Sequence, residues 1–256
     1  MKIDRSLNSK ENRPLDSIFQ SRVLSGTRAL VTGGAVRVGR EFCRALKAVG
    51  AEVVIHYRSS ENDARELAAE LNAVTVQGDL TLAADRERIF KEVGKFNALI
   101  NSASTYVVNP LLDEPENIMR CQLEANLIAP LEMMKLFRQQ LNGEPGSIVN
   151  IVDQEVFRAA DSQGGYSLAK KSLRDATLAS ARQYANENLR VNAIAPGPVL
   201  PPVGFEGQGM IKALRDVPLG RPVAMCDLTA ALIFLLSNSS ITGQILAVDC
   251  GQHLNC

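Results

Sequence analysis

Tyr166 and Lys170 stand four residues apart in "GGYSLAKKSL" and form a pair whose types and spacing ask for a chemical reason. At helical spacing, positions i and i+4 share a face, so the phenol and the ammonium can act on the same space. A phenol has a reference pKa near ~10, and a neighbouring ammonium favours the phenolate and lowers it. Asp153, upstream in "IVDQEVF", complicates this. An ionised carboxylate beside Tyr166 opposes Lys170, raises the phenol pKa and keeps its proton on. Such a tyrosine takes a proton from an alcohol poorly and is suited to giving one away. Two readings of Asp153 stay open on residue type alone: a member of the chemical set, or a polar residue that closes a strand.

A second group of residues could hold a phosphate. In "VTGGAVRVG", glycines such as Gly33 and Gly39 let the backbone turn tightly and approach a ligand, and the helix that follows offers free N–H groups. A lone turn of this kind is a weak signal; its place between the first strand and the first helix gives it weight. The second strand ends in "HYRSS". An NAD site usually carries Asp or Glu there, about 20 residues past the glycines. Here Tyr57, Arg58 and Ser59 stand instead, and a guanidinium matches a phosphate through paired donors. The expected cofactor is therefore NADPH. Asp79 and Leu80, in "QGDL", close a third strand, where they could border the adenine or where Asp79 could simply cap the next helix.

These residues need elements to position them. From Arg28 onward "RALVT", "EVVIHY", "AVTVQ", "NALIN", "SIVNIV", "RVNAIA" and "QILAVD" alternate with helix-length segments. Apolar strands separated by helices predict a parallel sheet covered on both faces. The right-handed crossover rule makes it an open, doubly wound α/β sheet of the Rossmann type, in a single domain. Ligands of such sheets sit beyond the carboxyl ends of the strands, where Gly33, Arg58, Asp79 and Asp153 fall. Residues 1–25 read as a flexible N-terminal extension and 26–256 as the domain. Within it a Pro- and Gly-rich stretch, about 198–222, reads as a substrate loop with Phe205 and Met210 able to cover a ring.

Composition narrows the function classes. Lys plus Arg and Asp plus Glu both number 28, so there is no basic excess for nucleic acid or a membrane surface. Five scattered cysteines without a CxxC pair, and only two histidines, argue against a disulfide framework and a metal site. The apolar run "LTAALIFLL" is too short for a bilayer, and the N-terminal stretch has no secretory core, so a cytoplasmic protein is expected.

With "TGGAVRVG", "GDL", "NSAS" and "YSLAK", the chain resembles the short-chain dehydrogenase/reductases over nearly all of Arg28 to His253. The resemblance implies a seven-stranded Rossmann sheet, a nicotinamide cofactor and a homotetramer or homodimer. It implies Tyr166 as proton donor with Lys170 as its partner, the lysine also binding the nicotinamide ribose. Asn126, in "LEANLIAP", is similar to the asparagine that supports a water and proton relay below that lysine. Further cofactor contacts are implied at Val38, at Asn101, Ser102 and Ala103 in "NSAS", and at Pro196 and Gly197 in "APGP".

The departures narrow the resemblance further. Arg37 replaces the family's middle glycine, Asp153 its serine, "NSAS" its NNAG and "DCG" its DGG. Arg37 and Asp153 make the chain similar to the pteridine reductases and the related dihydromonapterin reductases. There the resemblance implies Arg37 reaching both the cofactor phosphates and the substrate's polar edge. It also implies Tyr106 stacked on a pterin, and Asp153 and Tyr166 beside the reacting ring. Ser104 could contact that ring or serve as a turn hydroxyl, and Phe205 could cover it. The expected reaction is NADPH-dependent reduction of a dihydropterin, with dihydrofolate a further candidate. The alternatives are a carbonyl reductase, for example of 3-oxoacyl thioesters, and a dinucleotide-binding sensor without turnover.

Overall fold

The computed structural model describes residues 23–158, 164–200 and 214–255. Most of the expected N-terminal extension, and the loop residues Phe205 and Met210, lie outside the described residues.

Seven strands form where the apolar runs predict them: β1 (Arg28–Val31), β2 (Glu52–Tyr57), β3 (Val74–Gln77), β4 (Ala98–Asn101), β5 (Gly146–Ile151), β6 (Leu189–Pro196) and β7 (Ile245–Val248). They pair in parallel in the order β3-β2-β1-β4-β5-β6-β7. The first three strands step to one side; the chain then crosses back and lays β4 against the free edge of β1. That reversal opens a crevice above the carboxyl ends of β1 and β4.

The strands are apolar at both parities because both faces of the sheet are covered. Ala29, Val31, Ala98, Ile100, Val149 and Ile194 point to one core, while Leu30, Leu99, Ile148, Val191 and Ala195 point to the other. The first core is closed by α1 (Arg37–Ala48), α2 (Glu61–Leu71) and α7 (Met225–Ser237), through Phe42, Leu67 and Leu232. The second is closed by α3 (Ala83–Val93), α5 (Ala129–Leu141) and α6 (Gly164–Tyr184), through Ile89, Phe137 and Leu173. A shorter helix, α4 (Glu116–Leu123), runs into α5 through a π-helical turn, Glu124–Ile128. Among the described residues, no helix is long and apolar enough to cross a membrane.

α2 and α5 end on Asn72 and Asn142, each left-handed at φ +47°, which asparagine tolerates better than most residues. Arg37 (φ +52°) and Cys250 (φ +55°) adopt the same region without that tolerance. These are two of the positions where the sequence lacks a glycine that the resemblance leads one to expect. Left-handed backbone costs an L-residue roughly 1–2 kcal/mol.

Candidate active site

The crevice is an open cleft of ≈ 2030 Å³. A single small ligand fills roughly 300–1,000 Å³, so there is room for a dinucleotide and a second molecule side by side. Gly33, Arg37, Val38, Gly39, Tyr57, Arg58, Ser59, Asp79 and Leu80 line one end, and Asp153, Tyr166 and Lys170 the other. Ser102, Ala103, Pro196 and Gly197 also face the cleft.

The nucleotide end is shaped by close backbone approach. Gly33 sits at φ +63°, and a Cβ there would come within 2.9 Å of the Ala103 Cα. Thr32 Oγ1 accepts from the backbone N–H groups of Ser102 (2.9 Å) and Ala103 (3.1 Å), tying the end of β1 to the end of β4. His56, which the sequence reading used only in the case against a metal, is buried beneath the turn. Its Nδ1 accepts from Gly33 N–H (3.2 Å), and Nε2 lies 3.1 Å from the Gly78 carbonyl, which fixes the Nε2–H tautomer. Burial pushes the imidazole pKa down to about 4, so it is neutral. A histidine inside the apolar run "EVVIHY" was the available signal. Arg58 reaches over the opening with its side chain 58% exposed, held only by a 4.0 Å ion pair to Asp79. Asp79 in turn accepts from the N–H (2.9 Å) and hydroxyl (2.7 Å) of Thr81, a side-chain turn that lies ahead of α3 and leaves that helix uncapped by Asp79.

One expected cofactor residue stands apart. Asn101 points away from the cleft into the second core, where its Nδ2 donates to Asn150 Oδ1 (2.8 Å) and Asn150 donates on to Thr177 Oγ1 (2.9 Å). Its carboxamide serves a buried polar chain across β4, β5 and α6, not the cofactor surface.

At the chemical end, the two readings of Asp153 turn out to be compatible. Oδ1 accepts from Glu155 N–H (2.9 Å) and starts the short 3-10 helix Gln154–Phe157, while Oδ2 accepts from the Tyr166 hydroxyl (3.0 Å). Burial pushes Asp153 up to about 6. Burial, then the charge of Asp153, holds Tyr166 well above its ordinary value. The phenol keeps its proton, as expected of a carboxylate that opposes Lys170. Lys170 Nζ donates to the Ile151 carbonyl (2.8 Å) and lies 5.7 Å from the Tyr166 ring centroid, while burial brings it down to about 8. Helical spacing put both groups on one face, but the ammonium is drawn down to the end of β5.

Tyr106 meets Tyr166 edge to face, centroids 4.9 Å apart and planes at 86°. Asn126 is fully buried in the π-helical turn, and no hydrogen bond joins it to Lys170. Its side chain holds the loop: Ser104 Oγ donates to its Oδ1 (2.6 Å), and its Nδ2 donates to the Thr105 carbonyl (2.9 Å). Ser104 ties the loop to Asn126 and also lines the cleft. Phe205 lies outside the described residues. Among the described residues, no group of three or more His, Cys, Asp or Glu side chains could hold a metal ion.

Residues 34–253 match the family model described as enoyl-(acyl carrier protein) reductase. The chain belongs to the short-chain dehydrogenase/reductase family. As a short-chain dehydrogenase/reductase it is an oxidoreductase with a single Rossmann-like domain. Its relatives include the L-xylulose reductase of Mus musculus, 33% identical over 89% of this chain and 97% of that protein. Pteridine reductase 1 of Leishmania tarentolae is 30% identical over 88% of this chain and 96% of its own. Among solved structures, FolM alternative dihydrofolate reductase 1 from Brucella canis, complexed with NADP, superposes with a TM-score of 0.85 at 30% identity, covering 92% of this short-chain dehydrogenase/reductase and 97% of that chain.

Proposed function

We propose that this oxidoreductase uses NADPH to reduce dihydropterins, with dihydrofolate a further substrate of the same site. The observation that carries the reading is the 3.0 Å bond from the Tyr166 hydroxyl to Asp153. An enzyme that oxidises alcohols wants a tyrosinate. Here burial and a neighbouring carboxylate keep the phenol protonated, which suits a proton donor.

The cleft fits the cofactor. The turn from Gly33 to Gly39 would hold the pyrophosphate, Arg58 and Ser59 the ribose phosphate, and Lys170 the nicotinamide ribose. A reduced nicotinamide, when bound, supplies the hydride. Hydride adds to the carbon of a ring C=N bond, its electron pair moves to nitrogen, and nitrogen takes the proton from Tyr166 Oη. Asp153, when protonated, returns a proton to Tyr166. Tyr106 offers an aromatic wall for a flat ring, and Arg37 a cation for its polar edge. The relatives described as pteridine reductase and alternative dihydrofolate reductase support this substrate class.

A carbonyl reductase is the second reading, favoured by the L-xylulose reductase relative at 33% identity. An aspartate in place of the family's serine counts against it. NADPH oxidation measured in parallel with dihydrobiopterin, dihydromonapterin, dihydrofolate, L-xylulose and a 3-oxoacyl thioester separates the two. Turnover confined to the pterins and dihydrofolate supports the proposal; turnover confined to the carbonyl compounds overturns it.

A further inference from the structure

Gln122 and Asn126 lie four residues apart along α4 and the π-helical turn, and each grips one residue of the loop that follows β4. Asn126 Oδ1 accepts from Thr105 N–H (3.2 Å) while its Nδ2 donates to the Thr105 carbonyl (2.9 Å). Gln122 Oε1 accepts from Val107 N–H (3.2 Å) while its Nε2 donates to the Val107 carbonyl (3.2 Å). Each carboxamide thus takes both backbone groups of a single residue, as a neighbouring strand would. The spacings agree: four helical residues rise about 6 Å, and two extended residues span about 6.6 Å. The ring of Tyr106, between the two gripped residues, meets Tyr166.

Gln122 has one more partner. Its Nε2 also donates to Glu114 Oε1 (2.7 Å), and Glu114 Oε2 accepts from Gly165 N–H (2.6 Å) in the first turn of α6. A carboxylate is favourable at that helix terminus. Glycine is what admits it, because a Cβ at Gly164 or Gly165 would lie 2.8 or 2.6 Å from the same oxygen. One amide, only 1% exposed, therefore holds the backbone under Tyr106 directly and the backbone beside Tyr166 through a single carboxylate.

We propose that Gln122 and Glu114 are positioning residues that set the distance and angle between the Tyr106 wall and the Tyr166 hydroxyl. Neither lines the cleft. The role in substrate binding rests on the pterin reading above; the coupling of the two segments does not. A slot for a flat ring works only while its walls keep their separation, so its binding depends on this clamp from behind.

Amide hydrogen exchange of the ligand-free protein tests the coupling without any substrate. Gln122→Leu is expected to speed exchange at 104–108 and at 164–168 together, with 33–39 unchanged. Unchanged exchange at 164–168 overturns the clamp. In kinetics, Gln122→Leu should raise the KM for dihydropterin about tenfold while kcat changes less. In a Tyr106→Ala background the same change should add less than about twofold. A full additional penalty there would mean a general structural role and would overturn the proposal. Should Gln122→Leu fail to fold, Glu114→Ala, at a partly exposed position, is read the same way at 164–168 and in KM. Absence of dihydropterin turnover in the unaltered protein would remove the substrate reading and leave the exchange result to decide the clamp.

Discussion

Asp153 divides its two oxygens between structure and chemistry: one starts a 3-10 helix and the other accepts a hydrogen bond from the Tyr166 hydroxyl. Its pKa near 6 gives the site a pH dependence with a definite sign. Below about 6 the carboxyl is protonated and can return a proton to Tyr166; above it the carboxylate resists a second donation. The rate with dihydropterin should therefore fall as pH rises through about 6. Asp153→Asn, which has no proton to return, should lower kcat about a hundredfold and abolish that limb. A kcat profile from pH 5 to pH 8 for both proteins checks this. Arg58 is the residue proposed to carry the cofactor choice. Arg58→Glu should raise the KM for NADPH by roughly 10- to 100-fold and leave NADH nearly unaffected, since only NADPH carries a phosphate on the adenosine ribose to lose contact with. Steady-state rates with each dinucleotide decide it.

The elements were largely legible in the sequence, because a sheet buried on both faces leaves uninterrupted apolar runs and helices leave a different period. Strand ends were legible too, and they located Gly33, Arg58, Asp79 and Asp153. Side-chain direction at those ends was not. Asn101 turns inward because β4 and β5 register places it opposite Asn150, and no local spacing reports a pairing made across 49 residues. Lys170 is drawn to the Ile151 carbonyl for the same kind of reason. His56 went unnoticed because its partners come from two other strand ends, β1 and β3. Replacing it by leucine leaves Gly33 N–H and the Gly78 carbonyl without a partner. His56→Leu should cost about 1–3 kcal/mol of stability and weaken NADPH binding, read by denaturant unfolding and by titration. A folded-state pKa near 4, below the ordinary value, means this contribution is complete above about pH 6.5 and lost as pH falls through 4.

Taken as a whole, the molecule places two separate cores on one sheet and opens its cleft at the carboxyl edge above them. The left-handed conformations at Arg37 and Cys250 belong to that edge. They form a matched pair, because glycine would relieve nearly the same backbone angle at each. Arg37 faces the cleft and Cys250 does not. Both Arg37→Gly and Cys250→Gly should raise the melting temperature by a few degrees, on the order of 2–4 °C per kcal/mol relieved. Only the first should depress turnover of a dihydropterin. Thermal unfolding and rate measurements on the two variants make the comparison. Heat resistance, used alone to choose among variants, would thus reward both changes alike. A screen of that kind would recover a glycine at position 37, along with a sturdier protein that has discarded a cation facing the cleft.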